Sequence, residues 1–299
     1  MSEKIVKPIY LEKNGGLGNA LKVALEHCSN ELVARMDSDD VSFPQRFEFQ
    51  LDYLKRHPET DIVGGNITEF IGSEENIIGQ RSVPYSNQEI KTFMKSRCPF
   101  NHMTVMFKKS VIAEAGGYQD WFWNEDYYLW IRMMEKRAIM ANIPQNLVNV
   151  RVGSEMSSRR GGMKYFKSEK GLQKYMLQHH IISIPQYLYN TVIRFGGEVI
   201  APNWLRTKLF KFTRNKVSNN KKLKKTKVDQ ICLKDEEFEA FPFSVAMCVY
   251  NGDNPKWLEM AIISIVNQTV KPKEIILVVD GPIKDEIKIV IEKYTFQHK

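Results

Sequence analysis

Cysteine is scarce: there are four in 299 residues, and Cys28, Cys98, Cys232 and Cys248 make no CxxC pair and no paired spacing. Neither a zinc site nor a disulfide framework is expected, and a reducing cytoplasm fits best. Long apolar runs are missing too. No stretch approaches the roughly 20 residues that span a bilayer. The opening residues run from a short apolar patch at 9–11 into Glu12, Lys13 and Asn14, without the sustained apolar core of a secretory signal. The expected place is the cytoplasm, with peripheral attachment at the inner face of the cell membrane as an option. Acidic residues are absent from 206–227, where ten basic residues concentrate the net charge of +8. Nucleic acid is not the expected partner of that stripe, because the motif-bearing elements that would support it are absent. Trp204, Leu205, Leu209, Phe210 and Phe212 interleave with its first cations, which suits an amphipathic helix on an anionic membrane surface.

What is present is globular. Hydrophobic residues make up 43% and aromatics 11% of the chain, enough for one large α/β domain with an appendage. Residues 243–250 (FSVAMCVY) read as a buried strand closed by Asn251-Gly252-Asp253-Asn254-Pro255. A helix over 257–267 follows, then a second buried strand over 274–279 (EIILVV), then a helix over 285–294. This β-α-β-α order is that of a parallel nucleotide-binding sheet. The beginning of the chain reads as its continuation: a strand over 5–11, a glycine turn over 14–18, a helix over 19–27 and a strand over 31–36. The order is that of a circular permutation. Further on, helices are expected over 44–57, 87–97 and 127–136, with strands over 61–70 and 104–107. Helices over 165–180 and 184–195 form a C-terminal subdomain.

The sharpest feature is Asp37-Ser38-Asp39-Asp40, directly after the strand at 31–36. Carboxylates crowded at a strand end repel one another unless a hard divalent ion takes oxygen ligands from them, and Mg²⁺ or Mn²⁺ uses one or two carboxylates plus diphosphate oxygens. The plainer alternative is an Asp-rich turn leading to Pro44.

Five segments together resemble family 2 glycosyltransferases of the GT-A fold. Residues 243–251 with Asn267-Gln268-Thr269 are similar to that family's first strand and helix. Val278-Val279-Asp280-Gly281 resembles the second strand, whose terminal Asp meets uracil. Asn14-Gly15-Gly16-Leu17-Gly18-Asn19-Ala20 resembles the N-x-G-x-x-x-A turn, and Arg35-Met36-Asp37-Ser38-Asp39-Asp40 the metal motif. Asn124-Glu125-Asp126-Tyr127-Tyr128-Leu129-Trp130 resembles the ED-x-x-L-W motif of the catalytic base. Phe100-Asn101-His102-Met103-Thr104 and the Arg151 to Gly153 stretch resemble enzymes building bacterial exopolysaccharide or O-antigen, the amylovoran type among them.

The resemblance implies an inverting transfer from a UDP-sugar to a saccharide acceptor, free or linked to a lipid diphosphate. Asp39 and Asp37 would hold the Mn²⁺ or Mg²⁺. Val249, Tyr250, Asn251, Asp280, Asn14, Gly16, Arg35 and Asp37 would bind the nucleotide-sugar. Asp126, with Glu125 beside it, would take the acceptor proton, and His102 and Trp123 would meet the acceptor. Residues 240–299 plus 2–160 would be the catalytic domain, 161–215 a helical subdomain and 216–239 a basic linker. Plainer readings stay open: Asp280 as a turn residue, Asn14 and Gly16 as a helix-entry loop, Glu125 and Asp126 as a helix cap, His102 as a packing residue. So do other functions, a non-catalytic nucleotide-sugar or membrane-surface module and a nucleotidyltransferase. The latter would want a basic glycine-rich loop at its first strand, which Tyr250-Asn251-Gly252-Asp253 does not supply.

Overall fold

A computed structural model describes residues 5–153, 162–201 and 241–295. The chain order is β1 (Val6–Tyr10), α1 (Leu17–His27), β2 (Leu32–Met36), β3 (Val41–Ser42), α2 (Arg46–Arg56), β4 (Ile62–Phe70), β5 (Ile77–Arg81) and α3 (Asn87–Met94). A 3₁₀ turn (His102–Thr104), β6 (Met106–Lys108), α4 (Lys109–Glu114), α5 (Glu125–Glu135), β7 (Met140–Arg151), α6 (Met163–Gln178) and α7 (Ile184–Phe195) come next. Then follow β8 (Phe243–Val249), α8 (Pro255–Val266), β9 (Glu274–Val279) and α9 (Asp285–Tyr294).

One mixed sheet runs β1-β9-β8-β2-β6-β4-β7-β3, with β5 on β4. β1, β9, β8 and β2 are mutually parallel, while β6 is antiparallel to both β2 and β4. Late strands therefore fill the middle of an early sheet. β8 and β9 pair with β2 and β1, as the strand-like stretches at 31–36 and 5–11 lead one to expect, and Thr295 bridges to Val6 in parallel. Ser2 and Lys299, whose proximity a permuted chain implies, lie outside the described residues. So do the segment at 204–214 and the linker at 216–239.

Alternation explains how the central strands are buried on both sides. Phe243, Val245, Met247 and Val249 of β8 join one core cluster with α2, α8 and α9, whereas Ala246 joins the other with α1, α3 and α5. Helix starts follow local chemistry. Asn254 accepts from Lys256 N at 2.9 Å ahead of Pro255 in α8, and Ser86 and Glu89 make a reciprocal capping box on α3.

Some elements differ from the sequence reading. The strand expected at 104–107 begins at Met106, because Thr104 closes the 3₁₀ turn through its own bond to Asn101 O. β7, twelve residues containing Pro144, escapes the reading entirely; register shifts opposite Gly65 and Asn66 of β4 let the sheet accommodate it. Among the described residues no helix is long and apolar enough to cross a membrane.

Candidate active site

β2 delivers its acidic tail to the carboxyl edge of the sheet, where ligands of open α/β sheets bind. There the carboxylates of Asp37, Asp39 and Asp40 lie within 4.8 Å of one another. Burial, then Asp37 and Asp253, push Asp39 up to about 6. Burial, then Asp39 and Asp37, push Asp40 well above the carboxylate range, although it accepts from Arg151 N at 2.8 Å. Hard oxygen donors that repel one another this strongly fit a divalent cation, whose charge would remove the repulsion. Asp253, in the turn after β8, belongs to the same group: it accepts from Ser38 Oγ at 2.9 Å and from Tyr250 N at 3.1 Å. Sequence reasoning passed over it as a turn residue. Its position at a strand end was the available signal.

The nucleotide-side residues cluster at the ends of β8 and β9. Val249 is buried and Tyr250 exposed, with Asn251 next in the turn. Asp280 is more engaged than a free strand-end carboxylate. Its Oδ1 accepts from Gly15 N at 2.7 Å and its Oδ2 from Gly16 N at 3.0 Å, while Asn14 Nδ2 donates to its carbonyl at 3.3 Å. It thus shapes the turn that precedes α1, and each oxygen keeps a second lone pair. Gly281 is required there: φ is 86°, and a Cβ would stand 2.6 Å from Asn14 N.

α1 passes the arrangement on to α5. A Cβ on Gly18 would lie 3.6 Å from Glu125 Cβ, so the first turn of α1 abuts the start of α5. Glu125 and Asp126 occupy the first turn of α5, where the helix N-terminus favours negative charge. Burial, then the neighbouring Asp126, raise Glu125 to about 7. Asp126 accepts from Tyr127 N at 2.7 Å, and the Cys98 thiol donates to its Oδ2 at 3.8 Å.

His102 stands in the wall behind Asp126. Its Nδ1 is 4.0 Å from Asp126 Oδ2, and its Nε2 is 2.8 Å from Tyr118 Oη. Burial, then the charge of Arg35, hold the ring's pKa well below the usual histidine range. The neutral ring can donate from one nitrogen only, so a Tyr118 hydroxyl donating to Nε2 leaves the Nδ1 proton facing Asp126. Trp123, by contrast, is half-exposed on a left-handed backbone (φ 57°), stacked on Phe122 at 5.2 Å.

Arg35 ties the two sides together. Buried near the end of β2, it pairs with Asp37, and its charge acts on Asp39, Asp40, His102, Tyr118 and Glu125. Its Nε and Nη1 have no hydrogen-bond partner among the described residues. Tyr118 and Cys98 were invisible to sequence reasoning, since only folding brings them to Asp126.

Comparison with known proteins gives this site its context. The family model described as glycosyl transferase family 2 matches residues 2–114 and 244–299. An uncharacterized glycosyltransferase of Haemophilus influenzae is 43% identical over 205 residues, covering 69% of this chain and 76% of its own length. The amylovoran biosynthesis glycosyltransferase of Erwinia amylovora is 44% identical over 169 residues, covering 56% of this chain and 63% of its own. The UDP-Gal:alpha-D-GlcNAc-diphosphoundecaprenol beta-1,3-galactosyltransferase of Escherichia coli is 38% identical over 191 residues, 63% of this chain and 68% of its own. With the mixed sheet flanked by helices on both faces and its acidic strand end, the chain belongs to glycosyl transferase family 2 and is a glycosyltransferase of α/β, GT-A-like fold.

Proposed function

We propose that this glycosyltransferase inverts the anomeric centre of a UDP-sugar. In this reading its acceptor is a saccharide on a lipid diphosphate, within the assembly of a polysaccharide or O-antigen repeat unit. The observation that carries the reading is the Asp37, Asp39 and Asp40 group at the end of β2, which shares the charge of buried Arg35 with Glu125, the neighbour of Asp126 at the start of α5. Direct displacement at the anomeric carbon needs a stabilised leaving group on one side and a base on the other.

On the leaving-group side, Asp39 and Asp37 would hold Mn²⁺ or Mg²⁺, which when bound neutralises the departing diphosphate. Asp37, oriented by Arg35, also offers an oxygen to the ribose. Val249, Tyr250, Asn251, Asn14, Gly16 and Asp280 surround the nucleoside. On the base side Asp126 takes the proton of the acceptor hydroxyl, beside Glu125, which burial and then the Asp126 charge raise to about 7. The exposed Trp123 face stacks on the acceptor sugar. His102 acts through Asp126 or contacts the acceptor itself.

The relatives' names support the finer terms, one specifying a UDP-Gal donor with a diphosphoundecaprenol-linked acceptor and another amylovoran. The enzyme would then work in the cytoplasm, at the inner face of the cell membrane. Residues 240–299 with 2–160 would form the catalytic domain and 161–215 a helical subdomain, joined through the linker at 216–239 in permuted order.

The test is acceptor-dependent UDP release. UDP-Gal, UDP-Glc, UDP-GalNAc and UDP-GlcNAc are each supplied with a GlcNAc-diphosphate-lipid acceptor and Mn²⁺, and the product anomer is read by NMR. Release that needs acceptor, stops with chelator and is abolished in Asp39→Ala is expected. Nucleotide-sugar binding without acceptor-dependent release would assign a binding module instead, and a retained anomer would refute inversion.

A further inference from the structure

Helix α7 takes no part in the chemistry above, and its polarity is reversed. A helix beside a core normally turns its apolar residues inward. Here Tyr187, Asn190 and Arg194, at spacings of three and four, face the protein. Asn190 is the one buried residue of the helix and donates to Lys95 O at 3.0 Å and to Gln173 Oε1 at 2.7 Å. Arg194 donates to Ser96 O at 2.6 Å and pairs with Glu169 and Glu198. The outward residues are Ile184, Leu188, Tyr189, Val192 and Ile193, between 56% and 68% exposed, and Ile200 just beyond is 68% exposed. An exposed apolar face of this extent marks a contact surface.

Charge indicates what covers it. α7 contains no Asp or Glu, and its single cation is turned inward into ion pairs. From Glu198 to Asp229 the sequence carries ten basic residues and no acidic one between. An apolar face followed by chain of that composition complements an anionic bilayer, whose surface attracts Lys and Arg while the aliphatic side chains enter the headgroup boundary. A second copy would instead bring two such basic stretches together.

We propose that the outward face of α7 rests on an anionic phospholipid bilayer. Asn190 and Arg194 grip the backbone of Lys95 and Ser96, and Cys98 two residues later meets Asp126, so the surface is joined to the base by one short segment. In serving a lipid-borne acceptor, the inference rests on the function proposed above.

The experiment is flotation of the full chain with vesicles of phosphatidylglycerol and phosphatidylcholine in equal parts, and with phosphatidylcholine alone. The chain is expected to float with the anionic vesicles and to partition less onto the neutral ones. A Leu188→Ser, Val192→Ser, Ile193→Ser variant is expected to lose on the order of tenfold or more in partition. Its circular dichroism and its turnover on a soluble acceptor saccharide should match those of the unaltered chain. Ile193→Ser alone, a milder change, is expected to lose about threefold. An unaltered chain that stays in solution with both vesicles overturns the proposal, as does a triple variant that floats equally well. A chain of dimer mass in light scattering, dissociated by the same substitutions, would reassign the face to a second copy. Failure of the glycosyl-transfer reading would show separately, as absent turnover on soluble acceptor with flotation intact.

Discussion

Asp126 lies in the first turn of α5, where the helix N-terminus favours its charge and Glu125 opposes it. If it is the base, Asp126→Asn should lower kcat by about 10²–10⁴-fold while calorimetry finds the affinity for UDP-sugar unchanged; lost donor affinity would make it a binding residue. His102 gives a finer expectation. A neutral ring held by Tyr118 with its Nδ1 4.0 Å from Asp126 backs the carboxylate, so His102→Ala should cost about tenfold in kcat, the equivalent of roughly 1.4 kcal/mol. The acceptor KM should hold, and a raised KM would instead seat His102 against the acceptor. The acidic group makes a prediction in pH. Asp39 is raised from 3.8 to about 6, so the folded state binds more protons than the unfolded one between those values, and metal-free stability falls as pH rises through that window. Mn²⁺ should therefore raise Tm more at pH 7.5 than at pH 5, where it must displace protons, and melts at the two pH values check the order.

At the level of elements, Glu274 fastens the ends of four segments. Its carboxylate accepts from Lys7 Nζ of β1 at 2.6 Å, from Ser29 N and Oγ at 2.7 and 2.6 Å, and from Ser244 Oγ of β8 at 2.7 Å. Burial alone would raise it, but these bonds outweigh burial and hold it at about 2. Glu274→Ala leaves those donors unmatched and should cost about 2–4 kcal/mol in denaturant unfolding. The charged form's contribution should persist above pH 4.5 and fade as pH falls toward 2. Nothing in the sequence announces this knot, because its partners lie up to 267 positions apart. What the sequence does announce is local: the apolar runs of β8 and β9, the bounds of α7, and the acidic tail of β2 are all legible from neighbours alone. β7 is not, since Pro144 and its polar neighbours break the alternation and only the bulged pairing with β4 makes them a strand. Within the site the same division holds. Asp39 and Asp126 stand in recognisable strings, whereas Tyr118 and Asp253 enter through contacts that the fold creates.

For the whole molecule, the parallel bridge between Val6 and Thr295 brings the two end segments side by side. A chain rearranged to run 240–299 and then 2–239 keeps every pairing of the sheet. It should match the original in turnover and in Tm to within a few degrees, the effect of about 1 kcal/mol; loss of the folded state on rearrangement would show that the connection between 201 and 241 is needed where it stands. The native order has a temporal cost. β1 and β2 leave the ribosome well before the strands that separate them, β8 and β9. Until then β1 has no sheet neighbour among the described residues and one edge of β2 is open. Synthesis at roughly 5–20 residues per second holds those edges unpaired for many seconds, and the pairings that close them are of the long-range kind that forms slowly. Chaperone demand during translation should consequently be higher for this order of strands than for the rearranged one, with the same final structure.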